Sequence, residues 1–225
     1  MTLSNWKWKR RHIARIAALL GLLVTTGCLT APEIERTRQY VLNPQVGVES
    51  VAPINLTLGI RPLFSARPYG LPMAYLDNDQ QLVFRPRDEW AEPPADSITR
   101  ALTDALAATK RFMDVGNASD MARPDLLLTG ELRKFHEDRN ATPPVAELEV
   151  RIELRLSREP GIVWAGTLEE KIPMDSEEAG AFAAAMNEAV GKFAVRAAEA
   201  IAAAKLPQTA LSETPVHDIA IGMPH

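Results

Sequence analysis

Cys28 is the single cysteine of this 225-residue chain, and what precedes it points to one kind of chemistry. A lone thiol rules out an internal disulfide and leaves intermolecular pairing, a reactive site or lipid attachment. Upstream lie Lys7, Lys9, Arg10, Arg11 and Arg15, with no acid before the cysteine, then the apolar run Ile16–Val24 and the small residues Thr25-Thr26-Gly27. A positive segment, a short apolar segment and a small-residue cleavage site describe an export signal. Nine residues are too few for a membrane-spanning helix, which needs about 20. Val24-Thr25-Thr26-Gly27-Cys28 resembles a bacterial lipobox, in which glycine lets the peptidase approach the backbone closely. The expectation is cleavage between Gly27 and Cys28, with the Cys28 thiol carrying fatty acyl chains such as palmitate. The competing reading is an ordinary signal peptide beside an unmodified thiol.

Other chemistry is sparse. The chain contains no G-x-S-x-G, H-E-x-x-H, P-loop or dinucleotide fingerprint. His136 stands beside Glu137 and Asp138; a metal site there needs further donors brought in by the fold, and a solvated loop accounts for the cluster as well. Neither a metal nor another cofactor is expected. Arg61, Arg67, Arg85 and Arg87 surround a predicted hairpin, where they either converge on a phosphate group or stand as solvated loop residues. Together with Trp90 they are the candidate partner-binding residues, because polar loops not needed for a core are free to serve recognition. Trp90 and Trp164 have the amphipathic rings that line lipid or peptide grooves, although Trp164, at strand spacing, reads better as core. The Glu/Arg alternation over 147–155 reads as a wet sheet face rather than as paired catalytic carboxylates. The protein is not expected to be an enzyme.

Charge narrows the partners. The chain has 25 basic and 29 acidic residues; removing the five leader cations leaves 20 against 29, a net charge of −9 over residues 28–225. An acidic body argues against nucleic acid, which favours a basic face, and against general adsorption to anionic headgroups. Membrane attachment then falls to the acyl chains, each buried CH₂ contributing about 0.8 kcal/mol.

The elements that must carry these residues follow the hydrophobic periods. Residues 28–38 lack periodicity and read as a tether; residues 39–206 read as one domain and 207–225 as a disordered tail. Tyr40–Leu42 and the alternating Ile54–Ile60 are predicted strands. Met73–Leu76 and Leu82–Arg85 form a hairpin around Asp77-Asn78-Asp79. A helix capped by Asp96 presents Ile98, Leu102 and Leu106 on one face. Phe112–Val115 and Asp125–Leu132, running out towards Phe135, are further strands. From Ala146 to Leu156 apolar and charged residues alternate strictly, which favours an antiparallel or mixed sheet with one wet face. Glu159-Pro160-Gly161 turns this strand into Ile162–Leu168. A second helix is expected from Asp175, with Glu178 three residues on; thirteen alanines between 179 and 204 suit close packing. The fold class is α+β: a mixed, largely antiparallel sheet with two amphipathic helices packed on it.

In this order the segments resemble the auxiliary lipoproteins of ABC-type transport systems, the PqiC-like family. The likeness rests on Tyr40-Val41-Leu42, Leu58-Gly59-Ile60-Arg61-Pro62, Tyr75-Leu76-Asp77 with Leu82-Val83-Phe84-Arg85, and Trp90 before the first helix. Phe112-Met113-Asp114-Val115, Leu128-Thr129-Gly130-Glu131-Leu132, the alternating strand and the closing helix complete it. The resemblance implies a lipoprotein on the periplasmic face of the outer membrane that works with MCE-domain proteins and with ABC permeases and ATPases moving lipids between membranes. Leu29 is not the aspartate that retains enteric lipoproteins in the inner membrane. The family carries no catalytic residues to transfer. A structural or assembly lipoprotein, such as a secretin pilot or an outer-membrane assembly factor, would share every feature read from the residues, and an envelope hydrolase would need a nucleophile and base that are not displayed. Homo-oligomerisation stays open.

Overall fold

The computed structural model describes residues 36–206. The leader, Gly27, Cys28, most of the tether and the tail from 207 lie outside the described residues, so nothing structural attaches to the expectations made for them.

The longest alternating segments of the sequence build the framework. Strand β7 (Leu126–Asp138), β8 (Val145–Leu156) and β9 (Ile162–Pro173) form two long antiparallel ladders. Ala146, Leu148, Val150, Ile152 and Leu154 are buried, as the alternation predicts, and the charged residues between them lie on the opposite face. Around this framework the sheet is mixed. Strand β2 (Ile54–Ile60) runs parallel to β7 on one side and to β6 (Phe112–Asn117) on the other. The hairpin of β4 (Pro72–Leu76) and β5 (Leu82–Trp90) joins β7 through β4, the short β3 (Phe64–Ser65) also pairs with β7, and β1 (Arg38–Tyr40) lines the edge beside β5. Five of the eight pairings are parallel, but the long ones are antiparallel. Among the described residues, a nine-stranded sheet and two helices form the expected α+β architecture.

Helices α1 (Pro94–Ala108) and α2 (Ala179–Ala202) pack against each other, α1 reaching β6 and α2 lying across β8 and β9. The predicted face of α1, Ile98, Leu102 and Leu106, is buried, and on α2 Phe182, Met186, Ala189, Val190, Phe193, Ala197 and Ile201 recur at helical spacing and are buried. Both starts differ from expectation. Asp96 is not a cap: the helix begins at Pro94, whose missing N–H costs nothing in the first turn, and Asp96 lies within that turn, where its charge favours the helix dipole. Asp175 precedes α2 by a turn, and Glu178 stands at the N-cap without a side-chain cap bond. Alanine density lets an extended strap, residues 41–53, lie against α2. A Cβ on Gly191 would come within 2.8 Å of the Gln45 carbonyl oxygen. Asn187 fixes the strap, its Oδ1 accepting the Asn43 N–H at 2.6 Å.

Candidate functional site

The candidate surface residues are strung along β7 instead of converging. The Arg61 N–H donates to the Leu128 carbonyl and the Ala66 N–H to that of Leu132, which sets Arg61 and the exposed Arg67 four residues apart along β7. Arg85 pairs with Glu137, five residues further on. At about 3.3 Å per residue, Arg61 and Arg85 are about 30 Å apart. A joint phosphate site of Arg61, Arg67, Arg85 and Arg87 is therefore not formed.

Two of the five candidates are taken up by the fold itself, Trp90 buried and Arg85 half-buried. Trp90, expected on an exposed loop, closes β5 at 1% exposure, with ring centroids 5.3 Å from Phe135 and 5.6 Å from Phe182. Arg85 reaches the fully buried carboxylate of Glu137 at 2.6 Å, and its Nη2 donates to the Glu177 carbonyl at 2.5 Å. Arg139 holds the other side of the same carboxylate at 2.9 Å and lies 3.6 Å over the Tyr75 ring. This clamp ties the hairpin and the end of β7 to the segment entering α2. Arg61, Arg67 and Arg87 remain exposed.

His136 is not a solvated loop residue. A bulge between Leu132 and Lys134 shifts the phase of β7, so that Phe135 and Glu137 take over the inward face from Leu128 and Leu132. His136 consequently turns to the outer face, opposite Glu147. Tyr69, from the loop before β4, covers it, with its hydroxyl 2.9 Å from Nδ1 and its ring stacked at 6.1 Å. Nε2 faces the Glu147 carboxylate at 3.6 Å and has no hydrogen-bond partner. Burial, with the cations Arg67 and Lys134 adding to it against Glu147, pushes the imidazole down to about 4. The ring is neutral at pH 7. With the proton on Nε2, Tyr69 donates to Nδ1. Burial raises the Tyr69 phenol above its ordinary value.

The surrounding charges are paired across three strands. Lys134 lies 3.0 Å from Glu169, 3.4 Å from Glu147 and 3.5 Å from Glu149, while Lys171 bridges Glu147 at 2.7 Å and Glu169 at 3.3 Å. Desolvation alone would lower the Lys134 ammonium, but its hydrogen bond to Glu169 and the charges of Glu147, Glu169 and Glu149 push it up to about 12. Among the described residues no group of three or more His, Cys, Asp or Glu side chains is arranged to hold a metal ion. The layer is a cross-strand ion network in which Lys134 and Lys171 pair the carboxylates of Glu147 and Glu169. Its members Tyr69, Lys134 and Glu147 were invisible to sequence spacing, since only the β7–β8 register brings Glu147 to His136.

The profile of a family described as ABC-type transport auxiliary lipoprotein component matches residues 72–198, more than half of the chain. The protein belongs to this family. Among curated proteins none matches it in sequence. Its fold is similar to the crystal structure of a protein from Xanthomonas campestris, at 21% identity and a TM-score of 0.64, covering 73% of this chain and 95% of that one. A second crystal structure, of an uncharacterized protein, is 12% identical with a TM-score of 0.59 and covers 74% of this chain and 99% of that one. The family match spans the hairpin, the first helix, the β7–β9 framework and most of the second helix, hence Trp90, the Glu137 clamp and the His136 layer apart from Tyr69. As a transport auxiliary lipoprotein the molecule works at the cell envelope, in a family not known for catalysis. Among its described residues no helix is long and apolar enough to cross a membrane.

Proposed function

We infer that this auxiliary lipoprotein is acylated at Cys28, sits on the periplasmic face of the outer membrane, and acts as a docking component for an ABC-type lipid transport system with an MCE-domain partner. The observation that carries the reading is the family match over residues 72–198 behind a lipobox cysteine. Anchoring confines the domain to a thin layer beside one membrane. Confinement raises its effective concentration for a partner reaching across the periplasm, so a modest interface suffices. Exposed Arg67 and Arg87 and the loops around β3 and β4 are the surface offered to that partner. Trp90 is excluded from it by burial, and Arg85 is taken up by its ion pair with Glu137.

The test is purification of the tagged lipoprotein from mild detergent and identification of what comes with it. The expected result is an MCE-domain protein, whose recovery falls on Arg67→Glu and Arg87→Glu together. Cys28→Ala is expected to leave an unprocessed precursor that incorporates no labelled fatty acid. Recovery of a secretin or a barrel-assembly protein instead would replace the transport reading with that of an assembly lipoprotein.

A further inference from the structure

At the N-terminal end of β7 lies an open cleft of about 740 Å³, lined among others by Arg61, Arg123, Arg155, Met121, Leu127 and Ser157. No acidic side chain lines it, although the mature chain is strongly acidic overall. No ion pair or side-chain hydrogen bond within the described residues holds Arg61 or Arg123. Arg155 contacts Glu153 at 2.5 Å, but that carboxylate is shared with Arg151 at 2.7 Å, so this pairing too leaves surplus positive charge. The acids of the neighbouring loop, Asp120 and Asp125, stand outside the lining. Asp125 is occupied, its Oδ2 accepting from the Thr57 N–H at 2.9 Å and the Thr57 hydroxyl at 2.8 Å.

The walls are fixed before any ligand arrives. The Ala118 N–H donates to the Ile60 carbonyl, the Ser157 N–H to that of Asp125, and Asn117 Oδ1 accepts from both the N–H and the hydroxyl of Ser119. Gly59 lets the 118–124 loop settle on β2: a Cβ there would meet Pro124 at 2.8 Å and the Ala118 backbone at 3.1 Å. The cleft thus pairs unspent guanidinium groups with an apolar wall from Met121 and Leu127. Its volume falls in the range of small-molecule sites, about 300–1,000 Å³. Guanidinium forks match the geometry of phosphate oxygens, and the apolar wall suits the carbons next to the phosphate of an amphiphile.

We propose that this cleft binds the phosphate group of a glycerophospholipid, with Arg61 and Arg123 as the phosphate-binding residues. The choice of a lipid rests on the lipid-transport reading; the phosphate chemistry rests on the cleft alone. The test uses the full acylated protein in a neutral detergent, titrated calorimetrically with dihexanoyl phosphatidylglycerol, inorganic phosphate and a hexaglutamate peptide. Saturable binding of the phospholipid, weakened at least tenfold in Arg61→Gln/Arg123→Gln with thermal unfolding unchanged, is the expected result. Inorganic phosphate binding as tightly, with the same arginine dependence, would uphold the phosphate site and name free phosphate as its source. Phospholipid affinity unaffected by the double substitution, or absent from the start, would overturn the proposal. Hexaglutamate binding more tightly than either phosphate compound would overturn it in favour of an acidic protein segment. Because the readout is ligand binding by the isolated protein and leaves Arg67 and Arg87 intact, it can fail while copurification with a transport partner succeeds, or the reverse.

Discussion

The Arg85 guanidinium lies 2.6 Å from the carboxylate of Glu137, a side chain without solvent exposure. Removing Arg85 leaves the buried carboxylate with Arg139 as its remaining cation, at 2.9 Å. Arg85→Ala is expected to destabilise the domain by about 1.5–3 kcal/mol in urea unfolding, the scale of a hydrogen bond to a charged group. The double substitution Arg85→Met/Glu137→Leu should cost markedly less than the sum of the two single changes. Additive costs would show that the pair is not coupled.

His136 makes stability depend on pH in a defined direction. Its folded value, about 4, lies below the ordinary 6.5, so between those values the unfolded chain binds more protons. Stability from this group is fully present above pH 6.5 and is lost as pH falls towards 4. The amplitude is on the order of 3 kcal/mol. Chemical denaturation of the wild type and His136→Gln from pH 7 to 4.5 checks this: the wild type should lose more. Parallel slopes would mean that the ring protonates freely in the folded state.

The two faces of β8 should respond differently to one substitution. Val150→Asp buries an unpaired carboxylate beneath the helices and should cost several kcal/mol. Arg151→Asp, on the outer face, should cost about 1 kcal/mol or less, chiefly through its contact with Glu153. Thermal melts of the two proteins decide it.

How far the sequence reveals this fold depends on whether its period survives. From Ala146 to Leu156 the alternation is unbroken, and every inward residue was legible. In β7 the bulge at Arg133 inserts one residue, so the inward series passes from Leu132 to Phe135 and the period-2 pattern stops there. His136 and Glu137 therefore looked like a polar loop when they are buried strand residues. The helix starts misled for another reason: Asp96 and Asp175 are good capping types, but Pro93-Pro94 and the backbone before Ala179 set the boundaries. The arginines were close in sequence, yet strand direction spread them along β7. Arg123 and Arg155, which share the cleft with Arg61, sit on different segments, and only the sheet order brings them together.

Two glycines of α2 should respond oppositely to alanine. At Gly180 nothing lies within 4 Å of the new methyl, and Gly180→Ala should stabilise by about 0.5 kcal/mol through backbone entropy. At Gly191 the methyl meets the Gln45 carbonyl oxygen at 2.8 Å. Lifting the strap should outweigh the propensity gain, for a net loss of about 1–3 kcal/mol. Hydrogen exchange at Asn43, whose N–H bonds to Asn187, should quicken in Gly191→Ala and not in Gly180→Ala.

Strand β1 has a mechanical meaning. A pull transmitted by the chain ahead of Arg38 enters the domain through three residue pairs, Arg38–Asp88, Gln39–Glu89 and Tyr40–Trp90, reinforced by the Arg38–Asp88 ion pair at 2.7 Å. Since β1 lies parallel to β5, tension along its axis loads these rungs together in shear, and they yield as a set. The next grip is the strap, with Leu42 buried and Asn43 tied to α2. Strain on the tether would thus be taken up at the sheet's edge, freeing one side of β5 while the β7–β9 ladders and the cleft at their far end keep their shape.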